Sequence, residues 1–125
     1  MSFTFSHEVD VPNKLLICEV QGTIKHAIDT EHMLKNIVKL AGKNQVKHVV
    51  LDVTQLILAY SAVEMSTIML RMHEQNWLAD IKIARIVNPQ DNNQNLVAGF
   101  SDKYALPIKN FEDRSAALMW LKFNI

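Results

Sequence analysis

Read from its N-terminus, the chain changes hydrophobic period several times, and each change marks an element. Phe3 to Asp10 alternates loosely and predicts a strand, and Pro12-Asn13 supplies a turn. Leu15 to Gln21 predicts a second strand, with Leu16, Cys18 and Val20 on one face and Leu15, Ile17 and Glu19 on the other; Gly22 is expected to end it. Met33, Leu34, Ile37, Val38 and Ala41 then recur at helical spacing. Asp29 or Thr30 is the expected cap of that helix and Gly42 its expected stop.

Lys47 to Val53 is a short β-branched run of the kind a buried strand shows, and a helix is expected from Ser61. Ile81 to Val87 reads as a further strand, ended by Asn88-Pro89. The polar stretch Gln90 to Asn95 is expected to be a loop leading into a helix with Leu96, Val97, Phe100 and Tyr104 inward. Pro107 to Phe111 is a last short strand, and Glu112-Asp113 opens a final helix carrying Ala116, Ala117, Trp120 and Leu121. The order β-β-α-β-α-β-α-β-α predicts one α/β domain over residues 1–125. Its sheet would be a single mixed, mostly parallel layer of about five strands with four covering helices.

Composition narrows the function classes. The 125 residues are 49% hydrophobic and 21% charged, which suits a globular core and excludes a disordered or fibrous chain. Thirteen basic and thirteen acidic side chains cancel, so no field draws the chain to nucleic acid or an anionic membrane. No apolar run approaches the ~20 residues of a membrane span. The single cysteine, Cys18, precludes an internal disulfide, and the first ten residues lack the features of a signal peptide; the expectation is a cytoplasmic chain. Five scattered histidines share no zinc-helix spacing, and three glycines, at 22, 42 and 99, form no phosphate cradle. Neither a metal nor another cofactor is expected, and no nucleophile elbow is present.

The strand-to-helix junction is the candidate site, because ligands of open α/β sheets gather at the strand ends. Asp52 would sit near the strand end, either as a polar ligand contact or bonded to loop amides. Ser61 and Glu64 match a capping box, although a hydroxyl at a helix N-terminus would also suit an anion or a phosphate.

The run HVVLDV, the helix at Ser61 and the ending NFEDRSAALMWL together resemble a STAS domain. More narrowly they resemble the small stand-alone SpoIIAA-like proteins, with Phe111, Ala117, Trp120 and Leu121 the most specific match. That resemblance implies a relation to bacterial anti-sigma-factor antagonists and to the lipid-carrying Sec14-type fold. Regulatory members carry Asp-Ser-Ser-Gly at the junction, with the second serine phosphorylated. The matching positions here are Tyr60, Ser61, Ala62 and Val63, so an alanine stands at the phospho-acceptor position.

The helix after Ser61 carries two apolar stripes. Met65, Ile68, Met69 and Met72 form the expected core face, and Met65, Met69 and Met72 would suit an adaptable apolar pocket. Val63, Leu70 and Trp77 recur every seven residues on another side. A second stripe calls either for a partner, such as a second copy in a homodimer, or for cover by segments such as ILAY or 88–95. A non-enzymatic STAS-like interaction module is the leading expectation. A carrier or sensor of a small apolar, lipid-like ligand is the alternative, and an enzyme using Asp52 or a histidine has least support.

Overall fold

The expected order of elements is present in the computed structural model, which describes residues 2–123. Among them are the strands β1 (Phe3–Asp10), β2 (Leu15–Ile24), β3 (His48–Leu58), β4 (Lys82–Ile86) and β5 (Ile108–Phe111). The helices are α1 (Ala27–Lys43), α2 (Ala62–Glu74), α3 (Asn92–Lys103) and α4 (Arg114–Phe123). The sheet runs β1-β2-β3-β4-β5 in space. β1 lies antiparallel to β2, and every other neighbour pair is parallel. A mixed, mostly parallel five-stranded sheet with four helices is thus the architecture.

The two faces are unequal. The larger core joins Leu16, Cys18 and Val20 of β2, Val49, Leu51 and Val53 of β3 and Ile83 of β4 to α1, α2 and α3. The smaller one sets Leu15, Val50, Ala84 and Ile86 against Ala117 and Leu121 of α4. Covered on both sides, the first half of β3 is apolar at consecutive positions, as parallel strands are. Buried Cys18 is a packing residue; burial pushes its thiol up to about 12.

Two strands run further than their hydrophobic pattern predicts. β3 continues to Leu58 rather than stopping at Val53. Between Glu19 and Gln21 the pairing with β3 slips, so Glu19 faces Asp52 while Gln21 faces Gln55. The extra residue in β3 is a β-bulge, and it moves the inward positions from Val49, Leu51 and Val53 to Leu56 and Leu58. A simple alternation therefore breaks at Val53 although the strand does not. β2 runs past Gly22 to Ile24. Gly22 sits at φ +110°, and a Cβ there would lie 2.4 Å from the Ser2 carbonyl oxygen. It is the point where two backbones meet, not a strand end.

The helix ends follow a second unexpected rule. Each of α1, α2 and α3 closes with a non-glycine residue in the left-handed region: Gln45, Asn76 and Ala105. Each closure has the two Schellman hydrogen bonds, for example the Asn76 N–H to the His73 carbonyl and the Trp77 N–H to the Met72 carbonyl, both at 3.2 Å. The residue after each turn, Val46, Trp77 or Leu106, packs back on the core. Gly42 lies inside α1 and stops nothing. At its other end α1 begins at Ala27, with His26 in the cap position and no side-chain cap bond, so neither Asp29 nor Thr30 is the cap. α3 begins earlier than expected, because the Asp91 carboxylate accepts from the Asn93 and Gln94 amides. It turns Gln94, Val97 and Ser101 inward and leaves Leu96 exposed.

Two glycine changes should move stability in opposite directions. Gly22→Ala should cost more than about 1 kcal/mol, because both the backbone angle and the space are wrong for a side chain. Ala105→Gly should gain about 0.5–1 kcal/mol by relieving a left-handed residue. Urea midpoints of the two variants check both.

Candidate functional site

The junction between β3 and α2 is built by three short-range interactions. Asp52 lies at the start of the bulge, and its carboxylate accepts from the Thr54 backbone N–H at 3.0 Å and the Thr54 hydroxyl at 2.7 Å. It holds the irregular turn of the strand, as a carboxylate two residues ahead of an amide commonly does. Tyr60 is buried, and its phenol oxygen lies 2.9 Å from Thr30 Oγ1 of α1. Burial raises the phenol's pKa, while the Thr30 hydrogen bond and the charge of Arg85 pull the other way.

Ser61 is the N-cap of α2, in a complete capping box. Its hydroxyl accepts from the Glu64 backbone N–H at 3.2 Å. The Glu64 carboxylate in turn accepts from the Ser61 backbone N–H, also at 3.1 Å from Ser61 Oγ. Two of the helix's orphan amides are satisfied this way, and Glu64 lies where the helix dipole favours a negative charge. Ala62 is the first residue of the helix and is exposed.

The inner face of α2 places Met65, Met69 and Met72 together, with Ile68, on one small cavity of about 40 Å³. Leu34 of α1, Leu51, Leu56 and Leu58 of β3 and Val97 of α3 belong to its apolar wall. Tyr60, Thr30 and Arg85 are its polar part. Arg85 stands inside the apolar stretch Ile83 to Val87, where the hydrophobic pattern does not single it out. It is 6% exposed. Its guanidinium donates to Asn110 Oδ1 of β5 at 2.9 Å and to Gln94 Oε1 of α3. Gln94, 1% exposed, donates its own amide to the Leu56 carbonyl at 3.2 Å, and Asn110 Nδ2 donates to the Gln94 carbonyl at 2.8 Å. The available signal was an arginine flanked by alanine and isoleucine, which a buried strand keeps only when polar groups meet it.

The outer face of α2 does not carry the three-residue stripe that a longer helix would give. Val63 and Leu70 stand on it, 75% and 39% exposed. Trp77 lies beyond the helix, which ends at Glu74, and the Schellman turn folds its indole back onto the core. Lys35 Nζ lies 4.7 Å and the Arg71 guanidinium 5.6 Å from the ring centre. Both cations also pair with buried Glu31, Lys35 at 3.3 Å and Arg71 at 2.9 Å, the latter without the alignment of a hydrogen bond. Trp77 is thus covered in large part by its own chain, in a clasp that joins α1 to α2. Ile57, near the end of β3, is 59% exposed, and strand alternation turns it away from the α2 side on which Leu56 and Leu58 are buried.

On the opposite face a broad groove of about 750 Å³ runs between the β1–β2 turn and α4, lined by Lys14, Ile17, His48, Met119 and Phe123 among others. Burial, reinforced by the charge of Lys82, holds His48 below the ordinary imidazole value. Among the described residues no three His, Cys, Asp or Glu side chains gather as metal ligands would. No helix among them is long and apolar enough to cross a membrane.

This arrangement has the α/β fold seen in anti-sigma factor antagonists. A crystal structure of an anti-sigma factor antagonist from Mycobacterium paratuberculosis superposes with a TM-score of 0.59 at 15% identity, over 94% of this chain and 92% of the other. The anti-sigma factor antagonist SpoIIAA, in its unphosphorylated form, superposes with a TM-score of 0.52 at 14% identity, over 98% and 99%. No protein-family model and no curated protein sequence matches the chain.

The cap has a measurable weight. Ser61→Ala should lower stability by about 0.5–2 kcal/mol, the usual loss for an N-cap. Ser61→Asp should be close to neutral, since aspartate caps equally well. Equilibrium urea unfolding of both variants gives the comparison.

Proposed function

We propose that the chain is a non-enzymatic regulatory module that works by docking another protein chain, most simply a second copy of itself, on the outer face of α2. The observation that carries this reading is the exposed apolar pair Val63 and Leu70 on the helix that follows the junction. Trp77, packed against the core, serves as a fixed flank rather than as an inserted anchor. The fold shared with anti-sigma factor antagonists supports a regulatory role.

The module operates without the phospho-serine of regulatory STAS domains. Ala62 has no hydroxyl to modify, and the Ser61 hydroxyl is held against the Glu64 carboxylate. A phosphate on Ser61 would meet that carboxylate at close range, which disfavours it electrostatically. Docking is therefore set by the shape of the surface and by concentration.

A second reading rests on the cavity lined by Met65, Met69 and Met72. Methionine walls rearrange easily, so a small apolar ligand could widen the space and the protein would then act as its carrier or sensor. Native mass spectrometry of freshly purified protein tests that reading by retained mass.

Sedimentation equilibrium tests the docking surface. The wild type should self-associate at micromolar concentration, and Leu70→Glu should give a folded monomer with unchanged circular dichroism. In a two-fold interface each substitution acts twice, so Val63→Glu should weaken association at least as strongly as a one-sided change would. A wild type that stays monomeric at high micromolar concentration would remove the second copy as partner.

A further inference from the structure

Arg85 is a buried cation without an anion. It is 6% exposed, and its two hydrogen-bond acceptors among the described residues, Asn110 Oδ1 and Gln94 Oε1, are neutral amides. A guanidinium offers five N–H donors, and these two acceptors engage one N–H on each terminal nitrogen. No carboxylate forms an ion pair with it among the described residues, where the pairs are Lys35–Glu31, Lys47–Asp80 and Arg71–Glu31. Asp91 is the acid whose field reaches it, and the Asp91 carboxylate is committed to the first amides of α3. Proteins rarely bury a charge unpaired, because removal from water is costly unless an opposite charge or a full set of hydrogen bonds replaces it.

The same residue is among those that line the cavity behind α2. At about 40 Å³ the space is equivalent to about three waters in the same measure, which is the size of one carboxylate group. Tyr60 and Thr30, hydrogen-bonded to each other at 2.9 Å, supply hydroxyls on the same wall. Beyond them the lining is apolar and includes Leu34, Met65, Met69 and Met72. A cation and two hydroxyl-bearing residues in the lining of an otherwise apolar cavity match a group with a negative head and an aliphatic remainder.

We propose that this cavity is a binding site for a carboxylate, held by Arg85 with the Tyr60 and Thr30 hydroxyls beside it. The inference shares its place with the apolar-ligand reading above and deepens it by naming the head group. The occupant is either a small free acid or the head of a longer aliphatic acid that pushes the methionines apart. Burial, which lowers the guanidinium to about 10, leaves Arg85 charged at neutral pH and able to serve.

The test follows the side-chain Nε–H signal of Arg85 by nitrogen–proton NMR of the wild-type chain. The sequence holds three arginines, at 71, 85 and 114, so Arg71→Lys and Arg114→Lys assign the Arg85 signal by elimination without touching the site. Sodium acetate, sodium hexanoate, acetamide and sodium chloride are titrated, the salts at matched ionic strength. Acetate should shift the signal saturably and bind about tenfold or more tightly than neutral acetamide, the factor expected of a hydrogen bond to a charged group. Hexanoate binding more tightly than acetate would identify the head of an aliphatic acid, and equal binding a small free acid. Acetamide or chloride matching acetate, or no saturable shift with either carboxylate, would overturn the site. A neutral apolar probe, 1-hexanol, separates the two readings: if it binds as well as hexanoate, the apolar pocket stands and the carboxylate site falls.

Discussion

β3 is longer than its neighbour. β4 pairs with it only as far as Asp52 opposite Ile86, yet β3 continues to Leu58. Past that point the strand edge has carbonyls and no strand to meet them, and a buried carbonyl left alone is costly. Side chains of α3 take the place of the missing strand: Gln94 donates to the Leu56 carbonyl and Asn93, at 2.8 Å, to the Leu58 carbonyl. Gln94 is itself fixed by Arg85 of β4 and Asn110 of β5. One polar network thus ties three strands and a helix together where the sheet runs out of partners.

The rest of the candidate site depends on this extension. Because β3 is carried past β4, Tyr60 reaches Thr30 of α1, and Ser61 caps α2 where its methionines close over the end of the sheet. The bulge held by Asp52 supplies the change of phase that keeps Leu56 and Leu58 turned inward. Asp52, Tyr60 and Ser61 are therefore parts of one structural turn, and the surface that α2 offers outward follows from the direction that turn imposes. Arg85 belongs both to the network and to the cavity wall, so the same side chain that finishes the sheet also charges the space behind it.

Much of this was legible in the sequence and the remainder fails for identifiable reasons. The order of elements, the faces of β2 and the Ser61–Glu64 box rest on periodicity and local chemistry, which a sequence displays directly. The length of β3 does not, because a bulge shifts the alternation at Val53. Trp77 looked like the third member of a heptad because its helix ends in asparagine rather than glycine; the left-handed turn at Asn76 removes it from the stripe. Arg85 was hidden in an apolar run, and its partners Gln94 and Asn110 lie 9 and 25 residues further on, with nothing local to connect them.

The claim that the network completes the sheet is tested most directly by a double-mutant cycle on Arg85→Met and Gln94→Leu, followed by urea unfolding. Each single change should cost about 1–3 kcal/mol, because each strands a buried polar partner. The double variant removes both together, so its cost should fall short of the sum by at least about 1 kcal/mol. Additivity within about 0.5 kcal/mol would show that the two residues act independently and would contradict the account.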